Sequence, residues 1–458
     1  MPTRKLLGRI DRAEVWLVVL ATIAFVALAL LPFGAKQFGD SDVHINARTL
    51  AGAVRGEVPW REVGVNRLPF TTLYYGLPYL AIPTGSSEQV YWKAAFIWNF
   101  IGVTGSLLLL RRAAVAIGGD GSGDLAVWLA LLSPFAIYYA LAISAEAPAW
   151  IMATVMLYGW ARWQRSAKFG ALVLFTLGLS GTILSRPNAV LVLACAFVCG
   201  LLLWRRQRSQ AVLALVASTS ALLISILAGA VASSLPHPAG ERSGLENFAY
   251  VAFHGSFQYR DEPLDWRGWD DETRSGSSDY ALWVNTRRTL ETTSEQTGES
   301  LTSLQLRWIL NDYLEHMPLR LRMALTRAGA LHVGMTNAMT PNQFHLGPLR
   351  GFLGWVLFHV AANASTFVAI PSAVWFLISQ RRRFLELWPA WGPWLSLTVF
   401  HALIYGEARY LVPARPGLML LAGCGLACLL RRVKASRSVV ASRSEVASPT
   451  SGRFIGPS

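Results

Sequence analysis

The stretch AVLALVASTSALLISILAGAVA, from Ala211 to Ala232, contains no charged side chain. It exceeds the roughly 20 apolar residues that a helix needs to cross a bilayer. Further apolar runs lie on both sides of it, and together they predict ten transmembrane helices. The predicted spans begin near Glu14, Tyr91, Asp124, Glu146, Phe169, Ala189, Ala211, Phe352, Leu387 and Leu411. The sequence therefore predicts an all-α polytopic membrane protein.

The composition of the whole chain agrees with this prediction. Of its 458 residues, 53% are hydrophobic and 15% are charged, with a mean hydropathy of +0.38. Soluble domains carry about 25% charged residues, so an ordinary soluble enzyme is excluded, as is a disordered chain. The four cysteines all lie in apolar runs, which favours helix packing over a disulfide framework or a metal site.

The distribution of charge predicts the orientation in the membrane. With the N-terminus inside, the inner segments hold 21 basic and six acidic residues, and the outer segments hold 20 basic and 21 acidic residues. Basic residues accumulate on the cytoplasmic side, so both termini are expected there. Basic clusters beside span ends also serve as contacts for anionic lipid, which argues against nucleic acid as a partner.

The predicted spans divide the chain into four parts. Residues 1–235 form an N-terminal membrane module, 236–350 a large extracytoplasmic loop before the eighth span, and 351–430 a C-terminal membrane module. Residues 431–458 are rich in Ser, Arg and Val and are expected to be a disordered, basic cytoplasmic tail.

Both large outer segments contain predicted helices. In the first outer loop, about 36–90, the apolar spacing from Asp42 to Val54 predicts an interfacial amphipathic helix. The proline-interrupted segment from Phe70 to Ile82 is interpreted as re-entrant or interfacial. In the second loop, Leu301 to Leu331 predicts a helix broken at Pro318, whose basic half is expected on the membrane surface.

Polar residues collect at the predicted outer ends of the spans. Ionisable groups near membrane depth are functional candidates, and carboxylates beside arginines suit chemistry on a phosphate-bearing substrate. Structural roles also fit: Asp40 as a helix cap, Glu146 at a helix N-terminus and Arg186 as an interface anchor. The histidines are interpreted as polar neighbours and not catalysts: His44, His254 and His401.

Four motifs occur in order at these outer ends. They are Phe38-Gly39-Asp40-Ser41-Asp42-Val43-His44, Ser144-Ala145-Glu146-Ala147-Pro148, Leu184-Ser185-Arg186-Pro187-Asn188 and Glu407-Ala408-Arg409-Tyr410-Leu411-Val412-Pro413. In this respect the chain resembles the membrane-embedded glycosyltransferases of the GT-C superfamily, including protein mannosyltransferases, aminoarabinose transferases and mycobacterial-type mannosyltransferases. The resemblance runs along almost the whole chain.

The resemblance implies an inverting transfer of a sugar from a polyprenyl-phosphate donor to an acceptor hydroxyl. It implies Asp40 and Asp42 as catalytic residues, with Asp40 as the base; because the pair is Asp-Ser-Asp, these two roles are interchangeable. The implied substrate-binding residues are His44, which stands where an aromatic residue is common, Glu146, Arg186, Glu407, Arg409, Tyr410 and Arg415.

No cofactor or metal is required by these motifs. The expected partners are membrane lipid, the lipid-linked sugar and a glycan, lipid or protein acceptor, with an active site on the extracytoplasmic face of the cell membrane. An envelope glycan or glycoconjugate of a bacterium is the expected product.

Other classes of protein remain open. An O-antigen-type ligase or polymerase also has a large outer loop and lipid-linked substrates. A transporter or flippase needs broken helices near the midplane, whereas the polar residues here lie at one rim. A non-catalytic scaffold is the third alternative. Convergence of Asp40, Glu146 and Arg409 in one cavity would distinguish the transferase.

Overall fold

The computed structural model describes residues 12–30, 41–63, 69–133, 143–234, 244–261, 278–333, 348–405 and 408–446. The α-helices of this part, in chain order, are α1 Arg12–Leu30, α2 Ser41–Val54, α3 Pro69–Leu80, α4 Glu88–Gly118, α5 Ser122–Leu131, α6 Glu146–Ser166, α7 Phe169–Ser185, α8 Leu191–Leu203, α9 Arg208–Ser234, α10 Gly244–Gly255, α11 Ser278–Thr297, α12 Leu301–Glu315, α13 Met317–Val333, α14 Pro348–Ser379, α15 Trp388–Leu403 and α16 Arg415–Val446. Short 3-10 helices occupy Trp60–Glu62, Pro187–Val190, Arg381–Leu387 and Ala408–Ala414.

The long helices follow the predicted spans. A helix begins within four residues of every predicted start, so the all-helical class is confirmed for the described part of the chain. Within that part, three helical stretches have the length and apolar composition needed to cross a membrane: Glu88–Gly118, Arg208–Val231 and Tyr410–Ser436, with mean hydropathies of 1.6, 2.3 and 1.5. They indicate a membrane location; the count of ten spans and their orientation stay predictions.

Helix α16 lies at the centre of the bundle, and its residues from Leu418 to Ala422 are fully buried. It packs against α4, α5, α14 and α15. A Cβ atom at Gly425 would collide with the carbonyl oxygen of Ser372 on α14, so this glycine permits close approach of the two helices. Small residues at helix seams are the usual packing device of membrane helices, for which lipid supplies no hydrophobic drive.

Polar contacts join the predicted inner segments at one end of the bundle. Glu14 at the start of α1 forms an ion pair with Arg112 near the end of α4, at 2.8 Å between Oε1 and Nε. Arg431 on α16 donates from Nη2 to the carbonyl oxygen of Gly118, at 2.7 Å. The start of α1, the end of α4 and the middle of α16 therefore lie together.

The C-terminal segment differs from the prediction of disorder beginning at Arg431. Helix α16 continues without interruption to Val446. Its first basic residues are held by the bundle, since Arg431 binds the end of α4 and the Arg432 guanidinium lies 5.4 Å from the ring centroid of Trp375. These contacts are long-range, so composition alone gives no sign of them. Residues 447–458 lie outside the described part.

The first outer loop forms the predicted amphipathic helix, α2, followed by α3. Helix α2 ends before Gly56, whose φ of +77° favours glycine. The segment interpreted as re-entrant is one helix, α3, in which Pro78 lies in the last turn and so removes only a terminal hydrogen bond. Tyr75 and Tyr79 are fully buried, so α3 is packed on protein.

The helix predicted in the second outer loop is interrupted at His316, between α12 and α13, as Pro318 predicts. The position of the basic half on the membrane surface stays a prediction, but two of its arginines face the protein. Arg320 and Arg327 are buried in protein, whereas Leu321 and Leu325 are exposed at 61% and 68%. Helical periodicity separates two faces of a helix but does not say which face packs on protein. Here both arginines donate hydrogen bonds to backbone carbonyl oxygens.

Labelling of engineered cysteines tests the predicted topology. Gln296 on α11 and Ser209 on α9 are both exposed, and the prediction places them on opposite sides of the membrane. In intact cells we expect an impermeant maleimide to label Gln296→Cys, and to label Ser209→Cys only after permeabilisation. The wild-type protein, with its four free cysteines, gives the background. Labelling of Ser209→Cys alone in intact cells would contradict the orientation.

Candidate functional site

A buried ion pair joins two of the four sequence motifs. Glu146 is the first residue of α6 and is 1% exposed, and the helix N-terminus favours its carboxylate. Its Oε1 is in contact with Nη2 of Arg186. Arg186 ends α7 in an extended conformation because Pro187 follows, which turns the arginine side chain out of the helix. The two motifs, 40 positions apart in the sequence, therefore meet in the structure.

The ion pair continues into an aromatic cluster from the fourth motif. The Arg186 guanidinium lies 5.2 Å from the ring centroid of Tyr410. The His401 ring stacks on the Tyr410 ring, with centroids 4.5 Å apart and planes 2° apart, and Asn188 Nδ2 lies 2.6 Å from His401 Nε2. We call these five residues, Glu146, Arg186, Asn188, His401 and Tyr410, the rim cluster. They come from α6, α15 and the segments after α7 and before α16.

His401 has a larger part in this cluster than the sequence predicts. The interpretation of this histidine as an ordinary polar neighbour does not account for its position between Asn188 and Tyr410. Its Nδ1 lies 3.1 Å from the carbonyl oxygen of Tyr405, which fixes the ring. The sequence feature that could have pointed to this role is the position of His401, nine residues before Tyr410 and at the end of an apolar run. Partners distant in sequence cannot be assigned from position alone.

The large outer loop packs against the end of the helix bundle that carries the rim cluster. The His254 ring stacks on Tyr405 at 5.7 Å and also lies 4.9 Å from Trp283 of α11. A Cβ atom at Gly255 would collide with the carbonyl oxygen of Ile404, so α10 approaches the end of α15 as closely as glycine allows. The loop thus forms a wall beside the segment that carries His401.

Arg327 joins the large outer loop to the end of α15. Its guanidinium donates to the carbonyl oxygens of Ala402 and Leu403 at 3.3 and 3.0 Å, and to those of Gly255 and Gln258. The C-terminal carbonyls of α10 and α15 have no partner within their own helices, so one cation satisfies both ends. Burial lowers the pKa of Arg327 to about 10, which leaves it charged at neutral pH.

The acidic first-loop motif is connected to the second motif through α3. Helix α2 packs on α3, and Tyr75 of α3 hydrogen-bonds to the backbone of Ser144, accepting from its N–H at 3.2 Å and donating to its carbonyl oxygen at 3.1 Å. Ser144 precedes Glu146 by two residues. Asp42 lies in the first turn of α2, and Asp40 lies outside the described residues, so their meeting with Glu146 stays a prediction.

The remaining predicted site residues lie outside the rim cluster. Glu407 falls outside the described residues, and Arg409 lies in the 3-10 helix next to Tyr410. Arg415 is buried and donates from Nη1 to Thr366 of α14, at 3.2 Å. His44 stacks on Trp92 at 4.4 Å and lies 2.9 Å from the hydroxyl of Tyr79, in a second polar region formed by α2, α3 and α4.

The rim cluster offers a carboxylate, a guanidinium, an amide, an imidazole and a phenol at one end of the helices. Guanidinium groups bind phosphate through parallel hydrogen bonds, so the cluster has the groups to hold an anionic substrate. Among the described residues, no group of three or more His, Cys, Asp and Glu side chains is arranged to hold a metal ion.

Solved structures with a similar path of the chain are those of an oligosaccharyltransferase from Archaeoglobus fulgidus. The apo form has a TM-score of 0.48 at 11% identity, covering 94% of this chain and 52% of the other. The form named AglB, in complex with an inhibitory peptide and a dolichol-phosphate, has a TM-score of 0.47 at 12% identity, with the same coverage. This chain therefore spans about half the length of those proteins. No family model and no curated protein matches the sequence.

Proposed function

We propose that this protein is a GT-C-type glycosyltransferase that moves a sugar from a polyprenyl-phosphate donor to an acceptor hydroxyl at the extracytoplasmic membrane face. The observation that carries the proposal is the rim cluster. Residues from three motifs that lie far apart in the sequence, Glu146, Arg186 and Tyr410, are in contact at one end of an apolar helix bundle. A purely structural ion pair requires neither the aromatic stack nor the third motif.

In the proposed reaction, Asp40 takes the proton of the acceptor hydroxyl, with Asp42 as the alternative base. The hydroxyl oxygen forms a bond to the anomeric carbon from the face opposite the phosphate, and the bond from that carbon to the phosphate oxygen breaks. The lipid phosphate leaves with the electron pair, so the sugar is inverted. Close carboxylates raise each other's pKa, which assists a base near neutral pH.

Negative charge develops on the departing phosphate, and fixed cations near it lower the barrier. Arg409 is proposed as the principal cation because it adjoins Tyr410 of the rim cluster. Arg186 is a second candidate whose charge is already partly neutralised by Glu146. Arg415 is directed to Thr366 on α14, which favours a supporting position.

Replacement of one cation by another tests the phosphate assignment. Arg409→Lys keeps the charge but loses the planar fork that matches phosphate geometry. We expect a loss of at least tenfold in transfer with near-normal thermal unfolding, measured with purified protein and a radiolabelled polyprenyl-phosphate sugar. Arg288→Lys, on α11 of the outer loop, is the control and should keep wild-type turnover. Wild-type rates for Arg409→Lys would remove Arg409 from the site.

Comparison of cells with and without the gene tests the function as a whole. Mass spectrometry of envelope glycolipids and glycans should reveal one product that is missing a sugar residue, together with accumulated lipid-linked donor. Restoration by the wild-type gene, but not by a gene encoding Asp40→Asn, would assign the transfer to this site. Identical glycans and glycolipids in both strains would contradict the proposal.

A further inference from the structure

A second polar cavity lies in the first outer loop, with a volume of about 450 Å³. Its walls come from α2 and the residues just after it, from the turn between α3 and α4, and from the first residues of α4. Its polar and aromatic wall groups include the side chains of His44, Arg48, Arg55, Glu57, Glu88 and Tyr91. The volume falls in the range of about 300–1,000 Å³ in which proteins hold small ligands.

The charges around this cavity cancel. Two arginines, Arg48 and Arg55, face two carboxylates, Glu57 and Glu88. Arg55 and Glu57 are already paired, at 2.8 Å between Nε and Oε1. A wall of this kind offers donors and acceptors without net charge, so it favours a neutral polar ligand over a phosphate or a metal cation.

One residue of the wall has a buried polar atom without a hydrogen-bond partner. His44 is 3% exposed, its Nδ1 lies 2.9 Å from the Tyr79 hydroxyl, and its Nε2 has no hydrogen-bond partner in the structure. Buried polar atoms normally have a partner. Burial lowers the pKa of His44, so the ring is neutral at pH 7 and Nε2 either donates or accepts, according to the tautomer.

A hydroxyl group satisfies both tautomers of this histidine because it donates and accepts. The several hydroxyls of a saccharide would also match the rest of the wall, where carboxylates accept and guanidinium groups donate. We propose that this cavity binds a neutral saccharide through His44, Arg48 and Glu88.

The saccharide site goes beyond the proposed transferase, since binding needs no donor and the cavity shares no lining residue with the rim cluster. His44 follows Asp42 by two residues on the same helix. A saccharide bound here is thus held beside the acidic motif, and its assignment as the glycan acceptor rests on the proposed function. Binding itself does not.

Direct binding measurements test the site. The full-length protein in lipid nanodiscs, without donor, is titrated with methyl α-mannoside, lactose and maltotriose, and with inorganic phosphate as the anionic comparison. Binding is followed by calorimetry and by the difference in tryptophan fluorescence between the wild type and Trp92→Phe, since Trp92 stacks on His44 and is one of 18 tryptophans. We expect at least one saccharide to bind with a Kd in the millimolar range or below, and phosphate to bind more weakly.

Matched variants locate the binding. Arg48→Met keeps an unbranched side chain but removes the guanidinium, whose Cζ lies 5.1 Å from the Tyr91 ring centroid, and should weaken saccharide binding at least tenfold. Arg61→Met, an exposed residue of the same loop outside the cavity, should bind as the wild type does. His44→Phe keeps an aromatic ring on Trp92 and should also bind more weakly, with thermal unfolding of each variant as the folding control.

The proposal is wrong if none of the three saccharides binds, if phosphate binds more tightly than all of them, or if Arg48→Met and Arg61→Met bind equally. Because the assay contains no donor and records no turnover, its failure is distinct from a failure of the glycosyltransferase assignment. The protein could transfer a sugar without binding a saccharide in this cavity, or bind a saccharide here without transferring a sugar, and the two assays distinguish these outcomes.

Discussion

Asp40→Asn is expected to fold normally and to lose glycosyl transfer by a factor of about 10²–10⁴, the usual contribution of a general base. Asparagine still accepts the hydrogen bond of a helix cap but cannot take a proton. Asp40 directly precedes α2, so a capping role is the main alternative. That role predicts about 1 kcal/mol or less of lost stability and nearly full activity.

Asp42→Asn is the matched control, since it changes the acid two residues further along the sequence, in the first turn of α2. We expect it to be damaged less than Asp40→Asn. Initial rates with a polyprenyl-phosphate sugar and thermal unfolding are measured for both variants. If Asp40→Asn retains turnover and Asp42→Asn loses it, the base is Asp42. Full turnover by both would contradict the proposed mechanism.

Glu146→Gln is expected to destabilise the protein by about 3–5 kcal/mol, because removal of one partner from a buried ion pair leaves the other charge uncompensated. Glu146 is 1% exposed and the side chain of Arg186 is 16% exposed. The change is measured as the shift of thermal unfolding in nanodiscs. Glu291→Gln, in the exposed pair with Arg287, is the control and should cost about 1 kcal/mol or less.

Exchange of the two charges separates structure from function. The double variant Glu146→Arg with Arg186→Glu restores an ion pair and should recover a large part of the lost stability. If Arg186 also holds the anionic substrate, transfer should remain reduced at least tenfold in this folded variant. Recovery of transfer together with stability would make the pair structural only, whereas a wild-type unfolding temperature for Glu146→Gln would show that the pair contributes little.

The helices were predictable because their signals are local. Apolar runs located the starts of α4, α9 and α16, and the spacing from Asp42 to Val54 located α2. The break before α13 was predictable from Pro318, which lacks a backbone donor. Each of these signals depends on a few adjacent residues and on the requirement that backbone groups in lipid be satisfied within a helix.

The roles of the arginines were not predictable in the same way. Arg320 and Arg327 are arginines at a helical spacing that a helix bound to the membrane surface would also have. Arg320 pairs with Asp312, only eight residues away, and also donates to the carbonyl oxygen of Ser256 just after α10. Arg327 donates to the carbonyl oxygen of Leu403 at the end of α15. These two carbonyl groups lie more than 60 residues away along the chain. The same limitation applied to Arg431, whose contact with the end of α4 holds the beginning of the C-terminal segment.

The sequence by itself determined the helical class and the membrane character, since these follow from hydropathy and charge distribution. Only the tertiary structure decided which side chains meet: Glu146 with Arg186, and His401 between Asn188 and Tyr410. It also separated His44 from this cluster and placed it at a second cavity. Periodicity specifies the face of a helix, but the partner of that face depends on packing between distant segments, which no local pattern encodes.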